Sequence, residues 1–434
     1  MPDNSSQISQ RARRTRLIDP WSVGAGLIAI FVLLPILAVI WFAFNPTDNI
    51  WPHLMATTLP RYLANTAILM GSVGLLAALV GTGAAWVVVM YQFPGRRWLQ
   101  WALLMPLAVP AYVGAYALVD FFEYAGPVQT ALRATFGWTN AQDYAFPAIR
   151  TRGAATVVLS AALYPYVYIL ARAAFREQSG ASYDVARALG AGPLARFWRV
   201  GFPLARPAIA AGVAVVMMET VNDFGTVDYF AVQTLTTGIF SVWLQGGNLG
   251  GAAQLATSVL IIIVFLVTLE KLSRRKSRFF MTARNARPVT PAALKGAVAW
   301  LATFACALPI VIGFVLPIAV LLSHAMDAGE WAAPGLHLAV ARTVFVAGIA
   351  AVLTVIGGVF MVYGVRLSGK RLPSILMPVT AIGYAAPGAV LALGILVPLA
   401  AFDNRFADLV LAITGYDPGL LFTGTAAALV LAYV

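Results

Sequence analysis

Residues 184–204 read DVARALGAGPLARFWRVGFPL. Apolar runs long enough to cross a bilayer lie on both sides of this stretch. It nevertheless carries Arg187, Arg196 and Arg199, two glycines at 190 and 192, and prolines at 193 and 203. Such a segment reads as a structured loop that turns the chain round at one membrane face. The composition around it supports that reading. The 434-residue chain is 60% hydrophobic and only 11% charged, whereas a soluble domain is about 25% charged. The class is therefore an all-α polytopic membrane protein, and the length holds about ten spans of ~20 residues with their loops. The single cysteine, Cys306, excludes an intrachain disulfide and a cysteine-based metal site. The net charge of +12 does not point to nucleic acid, because the basic residues cluster beside apolar runs, where they set membrane orientation.

The apolar pattern places spans at 21–44, 62–91, 98–122, 153–175, 207–221, 252–272, 296–322, 343–365 and 373–400, with a last one starting near 420. Arg11, Arg13, Arg14 and Arg16 precede the first run as in a signal peptide. That run is too long for one and no small-residue cleavage site follows, so an uncleaved first span is expected. Starting with the amino terminus inside and alternating, the inner segments receive these arginines, then Arg96 and Arg97, then Arg172, Arg176, Arg187, Arg196, Arg199 and Arg206. They also receive the dense basic run 271–295 and Arg366, Lys370 and Arg371. Segment 222–251, placed outside, has no Lys or Arg. The bias is the one that orients membrane proteins, and it puts 184–204 on the cytoplasmic face.

The chain also repeats its punctuation. Asn65-Thr66 opens a span that ends at Pro94-Gly95-Arg96-Arg97, followed by Met105-Pro106 and Pro110. Arg342-Thr343 opens a later span that ends at Ser368-Gly369-Lys370-Arg371, followed by Met377-Pro378 and Pro387. The run beginning at Gly153 matches the run beginning at Gly424. Halves of like orientation need an even number of spans, and six fits. The expected layout is a cytoplasmic tail 1–20, a first membrane half 21–272 with its loop at 182–203, a cytoplasmic linker 273–295, and a second half 296–434 that is incomplete. On this reading the chain is a truncated form of two tandem six-span halves.

Within the loop, Ser182 is the expected N-cap and Asp184 falls in the first helical turn, where a carboxylate suits the dipole. Gly190 ends that helix. Pro193 starts a second short helix, 193–200; Pro203 stops it, and Pro207 begins the next span. The expected shape is two short helices joined by a glycine elbow, suited to docking in a groove of a soluble partner.

At this point the segment resembles the EAA loop of permease subunits of binding-protein-dependent ABC importers. Asp184-Val185-Ala186 stands for Glu-Ala-Ala, Gly190 has the family's spacing, and Val200, Phe202 and Pro203 close the pattern in Val200-Gly201-Phe202-Pro203. The departures are Asp for Glu, Val for Ala, Val for Ile and Phe for Leu; the shorter Asp184 reaches less far toward a partner. The resemblance implies a coupling helix that carries ATPase closure to the spans, with Asp184, Val185, Ala186, Arg187, Gly190, Val200, Phe202 and Pro203 as coupling residues. It further implies two cytoplasmic ATPase subunits holding the ATP and Mg, a periplasmic solute-binding protein, and a bacterial inner-membrane location with the amino terminus in the cytoplasm. The fused two-half layout and segment 222–244 look like the ferric iron permeases of that family; related permeases for thiamine or aminoalkylphosphonates share the layout.

The spans themselves carry little chemistry. No Walker A pattern occurs, so ATP hydrolysis is expected on another chain. His53, His324 and His337 are scattered and read as loop residues. Ionisable groups at membrane depth are costly and often functional, and hard cations favour oxygen ligands. Glu219, Asp223, Asp228 and Tyr229 are thus the candidate pathway residues; for Glu219 and Asp223 the alternative role is capping the end of the fifth span or pairing with Arg and backbone groups. Asp120 and Glu123 read as ordinary interface residues, and Trp98 and Trp101 as interfacial anchors. A secondary transporter driven by an ion gradient, the competing class, needs paired carboxylates deep in several spans. The spans are nearly free of them.

Overall fold

The computed structural model describes residues 20–275, 288–327, 333–368 and 371–434. All but the last residue of the tail 1–20, and residues 276–287 of the linker, lie outside the described residues. Helices dominate. Among the described residues, eight are long and apolar enough to cross a membrane: Pro20–Phe44, Leu59–Met90, Arg152–Glu177, Pro193–Asn222, Leu249–Lys271, Gly296–Met326, Leu336–Leu367 and Gly388–Thr414. Counting the bent pair Arg96–Ala108 and Ala111–Phe136 as one broken span gives nine. The count among the described residues stands beside the expected ten or so. The run from near 420 yields only the short helix Ala426–Tyr433.

Proline accounts for the other departures, in two opposite ways. The expected span 98–122 is broken at Val109-Pro110, where both residues are extended, and its two parts meet at 93°. The expected span 373–400 is likewise divided into Arg371–Ala385 and Gly388–Thr414 at extended Pro387. A proline offers no N–H and pushes the preceding residue out of the α region, so both sites end a helix. They are the matched prolines of the sequence repeat. Pro203 and Pro207, expected to stop one helix and start another, do neither. The chain runs helically from Pro193 to Asn222. A π turn at Phe197–Gly201, in which Phe202 N bonds Phe197 O, has already shifted the ladder by one residue. Pro203 then sits in the first turn after that shift, where its missing N–H costs little.

The described chain forms two compact units. One comprises residues 48–332, the other residues 1–47 with 333–434. These units divide the chain by packing, whereas the expected halves divide it by repeat. Helix Pro20–Phe44 therefore falls with the later helices, and Gly296–Met326 with the earlier ones.

In unit 48–332 the helices Leu59–Met90, Arg152–Glu177 and Phe202–Asn222 form the centre. Glycine lets their backbones approach. A Cβ on Gly81 would lie 2.8 Å from Tyr164 O, and one on Gly212 would lie 2.8 Å from Val167 Cα. Small-residue contacts of this kind replace the hydrophobic drive that helices lack in lipid. Tyr164, Tyr168 and Phe175 fill the remaining space and are fully buried. Two polar side chains of Arg152–Glu177 are partnered across the bundle: Tyr168 Oη donates to Gln100 O at 2.8 Å, and Arg172 Nη2 to Gln100 Oε1 at 2.8 Å. At one end the linker residues Ala292–Ala293 pair in parallel with Tyr91–Gln92.

In the other unit Pro20–Phe44 packs against Leu336–Ser368, Arg371–Ala385 and Gly388–Thr414. The Trp21 and Phe360 rings pack in a tilted arrangement, 4.9 Å between centroids. Asp403, fully buried, accepts backbone N–H bonds from Phe422 at 3.0 Å and Thr423 at 2.6 Å, tying the final loop to its helix.

Candidate functional site

The elbow forms, with its first boundary shifted. The first helix spans Gly180–Ala188 with Ser179 at the N-cap position; Ser182 lies inside it, which corrects the expected cap. Gly190 has φ +80°, and it closes the helix. Its N–H bonds Arg187 O at 3.0 Å, and Ala191 N–H bonds Ala186 O at 2.9 Å. These are the two bonds of a Schellman turn, and its left-handed position is the one that glycine fills without strain. Pro193 at the start of the next helix then redirects the chain.

The outer surface of the elbow is apolar and charged together. Val185, Leu189, Leu194 and Trp198 are 60%, 82%, 71% and 55% exposed. Asp184, Arg187 and Arg199 are exposed beside them, and Ala186 is half-buried. Val200, Phe202 and Pro203 are half-buried and belong to the π turn and the helix after it, so they form the root of the elbow.

That root was not legible as a unit in the sequence. Trp86, near the end of Leu59–Met90, sits at its centre. Its ring meets Phe175 at 5.4 Å, Phe197 at 5.1 Å and Tyr183 at 6.0 Å between centroids. Gly201 is placed so that a Cβ would lie 2.4 Å from the Trp86 ring. Tyr183 Oη donates to Gln178 Oε1, while Gln178 Nε2 donates to Gly201 O at 3.1 Å. Burial pushes the Tyr183 phenol up, so it keeps the proton that it donates. Four aromatic side chains thus join the elbow to the two central helices Leu59–Met90 and Arg152–Glu177.

The candidate pathway residues lie at the other end of the helix Phe202–Asn222, and the structure separates their roles. Asp223 accepts from Thr226 N at 3.0 Å, Thr226 Oγ1 at 2.9 Å and Val227 N at 3.1 Å. From one residue before the N-cap position Phe224, it holds the first turn of the short helix Gly225–Tyr229. Glu219 is half-buried one turn before Asp223. Asp228 is exposed and lines an open cleft with Tyr62 and Phe240. Tyr229 faces elsewhere: its ring meets Tyr116 at 6.2 Å, and its carbonyl accepts from Arg150 Nη1 at 3.2 Å. The four residues therefore do not converge on one point. Among the described residues, no group of three His, Cys, Asp or Glu side chains is arranged to hold a metal ion.

The histidines are helical, correcting the loop expectation: His53 lies in Trp51–Thr57, His324 in Leu316–Asp327 and His337 in Leu336–Ser368. His324 Nε2 pairs with Asp120 Oδ2 at 3.0 Å. Glu123 pairs with Arg150 at 3.4 Å. Asn65-Thr66, singled out by the repeat, holds the loop after Gly225–Tyr229. Asn65 Nδ2 donates to Gln233 O at 2.7 Å, and Leu235 N donates to Thr66 Oγ1 at 3.1 Å.

Residues 73–278, which include the elbow and its root, match the family described as binding-protein-dependent transport system inner membrane component. The Fe(3+)-transport system permease protein FbpB 2 of Haemophilus influenzae is 24% identical, over 54% of this chain and 41% of that protein. The chain therefore spans about two fifths of that relative. A probable sulfate transport system permease protein, cysT of Chlorokybus atmophyticus, is 24% identical over 57% of this chain and 86% of its own length. The molybdenum transport system permease protein ModB of Escherichia coli is 28% identical over 44% and 82%.

Proposed function

Because residues 73–278 match the inner membrane components of binding-protein-dependent transport systems, we propose that this chain is the permease of an ATP-driven ABC importer for ferric iron. The elbow, with its left-handed Gly190 and exposed apolar face, carries the reading. It faces the cytoplasm and seats in a groove of an ATPase chain, which binds the ATP and Mg; two such chains serve the two halves. A periplasmic binding protein delivers the cargo on the opposite side. The chain itself performs no bond chemistry.

The mechanism is alternating access. Closure of the ATPases pulls on the elbow. Its aromatic root passes the displacement to Leu59–Met90 and Arg152–Glu177, and the continuous helix Pro193–Asn222 carries it to the far face. ATP and the loaded binding protein shift the equilibrium because each contacts one state better than the other. Glu219 offers a hard oxygen ligand to the released cation, while Asp223 holds the end of the helix.

Ferric iron rests on the fused layout and on FbpB 2 among the relatives. The sulfate and molybdenum relatives support a second reading, an oxyanion importer. Uptake of radiolabelled ferric iron, sulfate and molybdate by a deletion strain with and without the gene decides between them. Gene-dependent uptake of iron alone is expected; gene-dependent uptake of sulfate or molybdate instead would overturn the ferric reading.

A further inference from the structure

Three arginines converge where the orientation rule disfavours them. Arg61, Arg150 and Arg152 line one cleft with Asn65, Ala231 and Gln233. The cleft sits at the end of unit 48–332 remote from the elbow. Three central helices establish this, because each has one end at the elbow root and the other at the cleft. Leu59–Met90 runs from Arg61 to Trp86, Arg152–Glu177 from Arg152 to Phe175, and Pro193–Asn222 from the π turn to the loop that carries Ala231. The shortest of them, at ~1.5 Å per residue, spans about 39 Å, more than the ~30 Å hydrocarbon core. With the elbow in the cytoplasm, the cleft is extracytoplasmic. Lys and Arg are depleted on that side, so arginines gathered there need a local reason.

Internal pairing supplies only part of one. Arg150 is engaged by Glu123 and by Tyr229 O, and Arg152 Nη1 donates to Asn65 Oδ1 at 3.0 Å. Arg61 has no hydrogen-bond or ion-pair partner among the described residues. No acidic side chain lines the cleft. Its wall is also fixed in a strained shape. Ala231, at φ +55°, is the one non-glycine residue with positive φ among the described residues, a conformation that persists only where the surroundings impose it. The Asn65 and Thr66 clamps hold that wall in place.

We propose that this arginine cleft is the docking point for an acidic patch on the extracytoplasmic binding protein. The inference rests on the importer reading given under Proposed function. A protein surface fits better than a free anion. All three arginines are exposed, and the cleft, at about 330 Å³, is too open to close around one small ion. Exposed arginines on a rigid frame steer and register a charged partner, which they do with a strong dependence on salt. Docking there would press on the loop 225–233 and hence on the helix whose other end is the elbow.

The test uses the transporter assembled from the full-length chain and its ATPase in nanodiscs, titrated with fluorescently labelled periplasmic ferric-binding protein at low and at physiological salt. Wild type should bind more weakly as salt rises. Arg61→Glu with Arg152→Glu should weaken binding at least about tenfold and flatten the salt dependence. Arg61→Glu alone, at a side chain with no internal partner, should weaken it severalfold and leave thermal stability unchanged. Substituting basic residues into the partner's acidic patch should restore affinity to the double variant. Wild-type affinity in both variants would overturn the docking site while leaving the importer reading intact. Displacement of the partner by sulfate beyond that of chloride at equal ionic strength would also overturn it, in favour of a free-oxyanion site. A wild-type transporter that does not bind the ferric-binding protein at either salt would overturn the ferric reading and this inference together.

Discussion

Gly190 concentrates the elbow's geometry in one backbone torsion. At φ +80° any L side chain is strained, by about 1–2 kcal/mol for ordinary residues and more for β-branched ones. Asn visits that region most readily of the non-glycine residues. Gly190→Val should therefore leave the protein inserted but separate ATP hydrolysis from uptake, whereas Gly190→Asn should keep most of the coupling. Uptake and ATPase activity measured together in proteoliposomes check this pair, and full coupling in the Val variant would remove the turn from the mechanism. Two carboxylates at the far end of the same helix should behave differently from each other. Asp223→Ala removes an acceptor of three short-range hydrogen bonds, so thermal stability should fall by about 1–2 kcal/mol, the usual worth of a cap. Glu219→Gln should leave stability near wild type and lower iron uptake at least severalfold; unchanged uptake would take Glu219 out of the pathway. The sequence placed both in one candidate site because it could show their spacing. It could not show that Thr226 and Val227 turn back to occupy the Asp223 carboxylate.

Between one residue and the bundle stands the π turn Phe197–Gly201. The prolines at 203 and 207 suggested a stop and a fresh start, since proline usually ends a helix. One extra residue in the preceding turn moves the hydrogen-bond ladder so that Pro203 falls at a helix-start position, and no local sequence rule announces such an insertion. The prolines at 110 and 387 lack any such turn, and there the break is real. Spacing was thus a good guide to the elbow itself, where Gly190 and Pro193 act as local residues do. It was a poor guide to the elbow's root, which depends on contacts among Trp86, Phe175, Tyr183 and Phe197 from separate segments. Trp86→Ala should cost about 3 kcal/mol, the low end for a large aromatic truncation because Trp86 is half-buried. It should also lower the ATP hydrolysed in response to the binding protein. Thermal denaturation together with stimulated ATPase activity reads both effects. A Trp86→Ala protein that melts early but stays fully stimulated would make the cluster a packing device and nothing more.

Across the whole chain, the apolar runs told where most helices cross but not which helices they would join. Pro20–Phe44 packs with helices after 333, and Gly296–Met326 packs in the other compact unit. An apolar stripe reads the same whichever partner covers it, so this exchange had no signature in the hydropathy pattern. The sidedness of the chain rests on a different signal, the Lys and Arg bias, and it permits a direct test of the reading on which the importer depends. Cys306 is 1% exposed and is the sole native cysteine, so thiol labelling starts from a nearly silent background. Leu189, 82% exposed on the elbow, and Ala141, exposed in the loop between Pro127–Phe136 and Arg152–Glu177, report the two faces when each is replaced by Cys. A membrane-impermeant maleimide should label Leu189→Cys only in inside-out vesicles and Ala141→Cys only in right-side-out ones. If the elbow docks as proposed, adding the ATPase should shield Leu189→Cys and leave Ala141→Cys unaffected. The reverse pattern of labelling would place the elbow outside, beyond any cytoplasmic motor. Both the coupling role of Gly190 and the outward aspect of the arginine cleft would then fall together.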